Sequence, residues 1–375
     1  MYIKKVGTFK SGPFIFSRMY SLRKITPLRI EAEILYETIK DLPILPQLAT
    51  SLEQALIRRS IHGTAAIEGN PLTEDRVSEI ISKTDNTGGK ERAEQEILNL
   101  KNAYDFIHGI KAEGGYLVLN EQFVRDAHRL ITRGIEDEWN NPGAYRNHKV
   151  QVGDKTHGGI YTPPKCLPDI EKLMDTFCEW INSEDLVNQF PPIRAALAHY
   201  YLGIIHPFGD GNGRTARITE ALMLRVGGIK YVPIMLSNFY YKNMDDYFVA
   251  FSKTIKNKEN NVTPFIKFTL KGFIESLREL KENIIFYIRK FALKDYYEYL
   301  RNNKLITQRQ HDLLVILLET PGTFSLNDLF NNVPFKILYR NISERTARRD
   351  LNKLTPQCLN KSDRNKYELN WKALE

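Results

Sequence analysis

The chain has 375 residues, 42% hydrophobic and 26% charged, with 19 Phe and 19 Tyr, which supplies a globular core and excludes wholesale disorder. Its longest apolar run, Leu313–Leu318, has six residues, too few to cross a bilayer, and the basic N-terminus lacks the continuous apolar stretch of an export signal. Net charge is +8, and residues 301–375 hold 13 basic against 8 acidic side chains, a basic end that fits nucleic acid and fits a solvated surface equally. Cys166, Cys178 and Cys358 are too scattered for a disulfide framework or a zinc knuckle, so reduced thiols in a cytoplasmic protein are expected.

The pattern is mainly helical, without internal repeats. Residues 1–50 are punctuated by Pro13, Pro27, Pro43 and Pro46 around a helix expected near Ile30–Lys40. Leu52, Leu56, Ser60, Thr64 and Glu68 fall four apart, one stripe of a helix that Gly69-Asn70-Pro71 stops. Another helix is expected over Glu91–Ile110. Asn120 is placed to cap a further one whose buried stripe would be Phe123, Ala127, Leu130 and Ile131. Between Tyr145 and Pro164 the period changes. Lys149-Val150-Gln151-Val152 alternates, Gly153-Asp154 and Gly158-Gly159 are turn signals, and Ile160-Tyr161-Thr162 resumes the alternation, which predicts a short β-hairpin. Helical spacing returns with Ile170, Leu173, Met174, Phe177 and Ile181, and again with Ile193, Ala196, Leu197, Tyr200, Tyr201 and Ile204. One or two long amphipathic helices are expected from Phe265 to about Asn303.

The remainder reads as a separate module. A helix over Gln308–Leu318 precedes a short one starting near Ser325, and Ser343 caps another that carries Arg345, Thr346, Arg348 and Arg349. A polar turn at residues 360–365 leads into the alternating Lys366-Tyr367-Glu368-Leu369. The order resembles a winged helix-turn-helix, in which those arginines would face DNA. A small dimerisation domain with a solvated basic face has the same pattern.

Chemistry concentrates in His206-Pro207-Phe208-Gly209-Asp210-Gly211-Asn212-Gly213-Arg214-Thr215-Ala216-Arg217. A helix should end near Ile205 and another begin at Asn212–Gly213. Gly211 and Gly213 let a ligand approach the backbone, and a helix N-terminus favours an anion. Arg214 and Arg217, three apart, share one helix face and offer two forks to phosphate oxygens. Asp210 beside an anion calls for a cation such as Mg2+ between them, and His206 is a candidate general base. These residues describe a site for a polyphosphate, a metal and a proton transfer.

The same segment matches the Fic family motif HxFx(D/E)GNGRxxR at every defining position, and the chain is similar to that family over most of its length. The resemblance implies a mainly α fold: an N-terminal helical region over 1–110, a Fic core with trailing helices over 111–300, and a winged-helix domain over 301–375. It implies a protein adenylyltransferase that moves AMP from ATP to a Tyr, Thr or Ser hydroxyl of a target protein, with Mg2+ at Asp210. ATP phosphates would lie over Gly211, Asn212 and Gly213, with the β-phosphate on Arg214 and the γ-phosphate on Arg217. The 145–164 hairpin resembles the family's flap, whose Val150, Val152 and Ile160 would align the target by strand addition. Asn243 resembles the residue that meets adenine or ribose, although Met244 stands where the family usually has Arg. Thr64-Ala65-Ala66-Ile67-Glu68-Gly69 matches the family's inhibitory motif, which implies that Glu68 pairs with Arg217 and restrains the enzyme.

Other readings stay open on sequence. They are a nucleotide-responsive transcription regulator, transfer of phosphocholine, UMP or phosphate, and removal of AMP. DNA binding by the last domain, the target protein and a homodimer are equally undecided, whereas a membrane is not expected as partner.

Overall fold

A computed structural model describes residues 2–44, 46–82, 91–110, 118–135, 138–232, 235–362 and 365–375. Residues 363–364 of the expected polar turn lie outside the described residues. The chain separates into two units, residues 1–280 and 281–375, and no described helix is long and apolar enough to cross a membrane.

The first unit opens with an antiparallel hairpin that the proline-rich pattern did not announce. Strands β1 (Ile3–Val6) and β2 (Phe14–Ser17) pair Ile3 with Ser17 and Val6 with Phe14. With only four residues each, and lysines within β1, they carry too little alternation to read. Phe16 is wholly buried between Trp180 and Tyr201, at ring distances of 5.4 and 5.0 Å, burial that stabilises by about 1.5–3 kcal/mol. The loop between the strands is fixed by Asp169, whose carboxylate accepts the amides of Phe9, Lys10 and Ser11.

Helix α1 (Leu22–Lys40) starts earlier than expected and runs through Pro27. Ile25, Ala32 and Ile39, one heptad apart, are all buried, and that anchorage outweighs the amide lost at the proline. Helices α2 (Pro46–Ile67), α3 (Glu74–Ser82), α4 (Arg92–Gly109) and α5 (Glu121–Thr132) follow. Asn120 caps α5 by accepting the amide of Phe123 at 2.8 Å. The buried face of α5 is rotated from the expected stripe: it comprises Val124, Ala127, His128, Ile131 and Thr132, with Phe123 and Leu130 only partly covered.

Residues 145–164 form the smallest possible hairpin, a single antiparallel bridge between Val152 and Tyr161, in place of regular strands. Beyond it lie α6 (Leu167–Ile181), α7 (Glu184–Val187), α8 (Pro191–Ile205), α9 (Asn212–Val226), α10 (Leu236–Lys242), α11 (Met244–Ile255) and α12 (Thr263–Asn302). Helix α8 is buried on nearly every side, as a central core helix must be. Ile61 and Ala65 of α2, Val77 of α3, Leu100 and Tyr104 of α4, Ala127 and Ile131 of α5, and Ile218 and Leu222 of α9 form one apolar cluster. Helix α2 also lies hard against α10, because a Cβ at Gly63 would come within 2.9 Å of the Ser237 carbonyl. Both contacts fix where the end of α2 arrives.

The second unit takes the C-terminal part of α12 and adds α13 (Gln308–Glu319), β3 (Phe324–Ser325), α14 (Asp328–Asn331), α15 (Phe335–Leu338), α16 (Glu344–Leu354), β4 (Leu359–Lys361) and β5 (Lys366–Leu369). The strands form an antiparallel sheet in the order β3-β5-β4. Thr307 and Gln310 make a capping box at α13, and Ser343 caps α16. Leu313, Leu317, Phe335, Ala347, Leu351 and Leu369 lie in its core. Arg345, Arg348 and Arg349 are exposed on α16, where Arg348 pairs with Glu344.

Candidate active site

Helix α8 ends at Ile205, and His206 caps it in the left-handed region at φ 50°, ψ 59°. Its amide still donates to Leu202, so the imidazole is carried by the helix end. Nδ1 lies 3.2 Å from the Gly203 carbonyl, and a carbonyl only accepts. The neutral ring therefore holds its proton on Nδ1 and leaves Nε2 bare. Burial pushes the imidazole pKa down to about 4, and Arg146 adds to the effect, against the Gly203 bond and the carboxylates of Glu68 and Asp210.

The loop from His206 to Gly211 is held by groups that the sequence pattern did not single out. Asn212 clamps Phe208 through its side chain, accepting the amide and donating to the carbonyl, each at 2.9 Å. The Phe208 ring stacks on His128 at 3.7 Å with 2° between the planes. His128 Nδ1 accepts the Gly143 amide, so Nε2 carries the proton and donates to the Asp210 carbonyl, both at 2.9 Å. Burial pushes its pKa down to about 4, with Arg214 contributing. A stripe drawn through Val124, Ala127, His128 and Ile131 would have exposed this histidine.

Helix α9 begins behind Gly211, whose φ of 74° turns the chain into the helix. The amides of Asn212, Gly213 and Arg214 make no backbone hydrogen bond among the described residues, which leaves three donors at the positive end of a helix. Asp210 accepts the Gly211 amide at 2.6 Å and pairs with Arg214 at 2.7 Å. Burial alone would raise its pKa, but Arg214 and the Gly211 amide hold it below the usual carboxylate range. Glu96 of α4 also approaches Arg214, at 3.7 Å, and accepts from the carboxamide of Asn70 at 2.9 Å.

Arg217 is almost wholly buried and meets Glu68 at 2.6 Å. It also donates to the Thr64 carbonyl at 3.2 Å. Burial opposes its charge, yet the Glu68 carboxylate raises its pKa above the ordinary value. Glu68 lies over the first turn of α9 so closely that a Cβ at Gly213 would run into its carboxylate. Behind Arg217 a buried chain follows: its Nη1 reaches the Tyr247 hydroxyl at 3.5 Å, Tyr247 meets His199 Nε2 at 2.9 Å, and His199 Nδ1 meets Glu220 at 2.9 Å. Since the Glu220 carboxylate accepts, His199 holds its proton on Nδ1 and every donor in the chain points the same way. Burial pushes the Tyr247 hydroxyl up to about 12. Glu220, three residues after Arg217, shares its helix face, a spacing that could have flagged it.

A cavity of about 410 Å³ brings together His206, Gly213, Arg217 and Glu68 with Val152, Ile160 and Tyr161 of the bridge segment and Phe248, Phe251 and Ser252 of α11. Asp210, Gly211, Asn212 and Arg214 belong to the same loop and helix start without lining the cavity. Val150 is half-buried just before the bridge and does not line it either. Asn243 is elsewhere: its carboxamide donates to the Phe239 carbonyl at 3.0 Å, and it lines a separate cleft with Asp246, Lys253 and Lys271.

Residues 118–224 match the model of the Fic/DOC family. It is 28% identical over 223 residues to a protein adenylyltransferase Fic of Nematostella vectensis, covering 59% of this chain and 48% of that protein. It is 31% identical over 210 residues to one of Drosophila mojavensis, covering 56% and 38%. The chain thus spans less than half the length of these curated relatives. In fold it is similar to a Fic family protein from Desulfovibrio desulfuricans G20, with a TM-score of 0.55, 22% identity, and 92% and 96% of the two chains covered.

Proposed function

We propose, from a chain whose residues 118–224 match the Fic/DOC family, that it is a protein adenylyltransferase moving AMP from ATP to a hydroxyl of a target protein. The observation that carries this reading is the pairing of Glu68 with Arg217 at 2.6 Å over the first turn of α9, in the cavity that His206 also lines. A carboxylate held over a helix N-terminus and against a buried arginine supports both an anion site there and its restraint by Glu68.

Free of Glu68, the amides of Asn212, Gly213 and Arg214 and the guanidinium of Arg217 would take the phosphates. Arg214 would add a second fork from the same helix face. The target hydroxyl attacks the α-phosphorus as its proton passes to Nε2 of His206. A new P–O bond forms, and the bond to pyrophosphate breaks. With its pKa near 4, His206 enters this step neutral at physiological pH. The segment around Val152 and Ile160 forms one wall of the cavity and would align the target chain.

No group of three or more His, Cys, Asp or Glu forms a metal cage among the described residues. Mg2+ commonly takes one or two carboxylates and completes its shell with phosphates and water, and the partly exposed Asp210 at the anion loop fits that habit. Mg2+ held there by Asp210 would neutralise phosphate charge.

Two finer parts of the reading rest on other residues. The element order of the second unit, its three-stranded sheet and the exposed Arg345, Arg348 and Arg349 support a winged helix that contacts DNA. Three free cysteines support a cytoplasmic protein. The main test is incubation of the Glu68→Gly protein with α-labelled ATP and a cell lysate. Label should pass to protein, and should not when His206 is also replaced by Ala; label that persists without the histidine would overturn the assignment.

A further inference from the structure

Arg146 lies near the start of the hairpin, ahead of the Val152–Tyr161 bridge, and is 3% exposed; no ion pair joins it to a carboxylate among the described residues. Its guanidinium is satisfied by carbonyl oxygens. Nε donates to His206 at 2.7 Å, Nη1 to His148 at 2.5 Å, and Nη2 to Pro164 at 2.8 Å and Ile205 at 3.5 Å. Its own amide donates to Pro207 at 2.9 Å. Burial lowers its pKa to about 10, so it remains charged at neutral pH.

A buried cation without a counterion is costly unless its donors are used, and here every guanidinium nitrogen has an acceptor, four of the five N–H groups being engaged. Here the oxygens come from only two places. Ile205, His206 and Pro207 are the end of α8, where the helix dipole is negative; His148 and Pro164 are the two ends of the bridge segment. A packing role would be met by an apolar side chain at lower cost. The charge lies beside His206, where the carboxylates of Glu68 and Asp210 favour protonation and the cations Arg217 and Lys256 line the same cavity; burial is the largest influence against protonation, and Arg146 adds to it.

We propose that Arg146 is the positioning residue that couples the bridge segment to the base: its fork ties both ends of the segment to the end of α8 and sets its positive charge beside His206. The role rests on the reading of His206 as the base, but it is testable without turnover. The imidazole of His206 is titrated by NMR with labelled histidine, its signal assigned by loss in His206→Asn. Hydrogen exchange is followed at the amides of Val152 and Tyr161, which bond each other's carbonyls at 2.9 and 2.8 Å.

In Arg146→Gln, His206 should bind its proton on the order of tenfold more tightly, and the two amides should exchange at least about tenfold faster. In Arg146→Lys, which keeps the charge and loses the fork, exchange should accelerate while proton affinity stays near that of the parent. Unchanged proton affinity in the Gln variant, or unchanged exchange in the Lys variant, overturns the proposal. If the Gln variant does not fold, exchange in the Lys variant decides alone. Transfer by the Glu68→Gly protein is measured alongside: both shifts without transfer would refute the adenylyltransferase reading and leave Arg146 its role, and transfer without the shifts would do the reverse.

Discussion

The carboxylate of Glu68 reaches Arg217 at 2.6 Å through space that only a glycine at position 213 leaves open. Removing the carboxylate frees Arg217 and the first-turn amides of α9 together. A misplacement of about 1 Å costs on the order of 100-fold in rate, so Glu68→Gly should raise self-modification by a comparable factor. Time courses with labelled ATP measure it. An equal rate in the folded parent and variant would end the restraint reading.

Asn70 holds the chain just past Glu68, donating to the Ala93 carbonyl and to Glu96 at 3.0 and 2.9 Å. Asn70→Ala loosens that anchor without touching the carboxylate. Basal transfer should rise several-fold, yet stay below that of Glu68→Gly. A decrease, or no change, would show that the end of α2 does not depend on this contact.

The acid limb of the rate–pH profile should lie far below that of an ordinary histidine. His206 resists protonation until about pH 4, so transfer by Glu68→Gly should persist through pH 6. A limb near 6.5 would mean that another group is the base. The same burial has a stability counterpart. The unfolded chain takes protons that folded His206 and His128 refuse, so stability should fall between about pH 6.5 and 4, by up to about 1.4 kcal/mol per pH unit for each. Above that window neither contributes. Denaturant unfolding of the parent against His206→Asn should show a shallower slope in the variant.

His128 supports the loop from beneath. Replacing it by Leu leaves the Gly143 amide and the Asp210 carbonyl without their partner and removes the ring stacked on Phe208. The loss should be about 2–4 kcal/mol in chemical denaturation. A change under about 0.5 kcal/mol would deny His128 that part.

Helix existence was readable where apolar periodicity was strong, as in α6 and α8, and the capping signals of Asn120 and Ser343 act as their residue types dictate. The hairpin of β1 and β2 was hidden because its evidence is tertiary: Phe16 is defined by Trp180 and Tyr201, far along the chain. Pro27 misled for a similar reason, since burial of Ile25 and Ala32 decides that helix. Within the site, the contiguous loop gave His206, Gly213 and Arg217 their common location. The supports His128, His199, Glu220 and Arg146 went unread because each is polar and buried, a pairing that composition cannot reveal. Asn243 is assigned by family resemblance alone, and its bond to Phe239 accompanies a place in another cleft.

Glu68 is covalently part of the molecule whose Arg217 it pairs with, and Gly63 lets α2 settle against α10 only a few residues before it. A tethered carboxylate acts at an effective concentration fixed by geometry, in the millimolar range or above, so dilution leaves it in place. If Glu68 restrains the enzyme as proposed, release would have to draw the end of α2 away from Arg217.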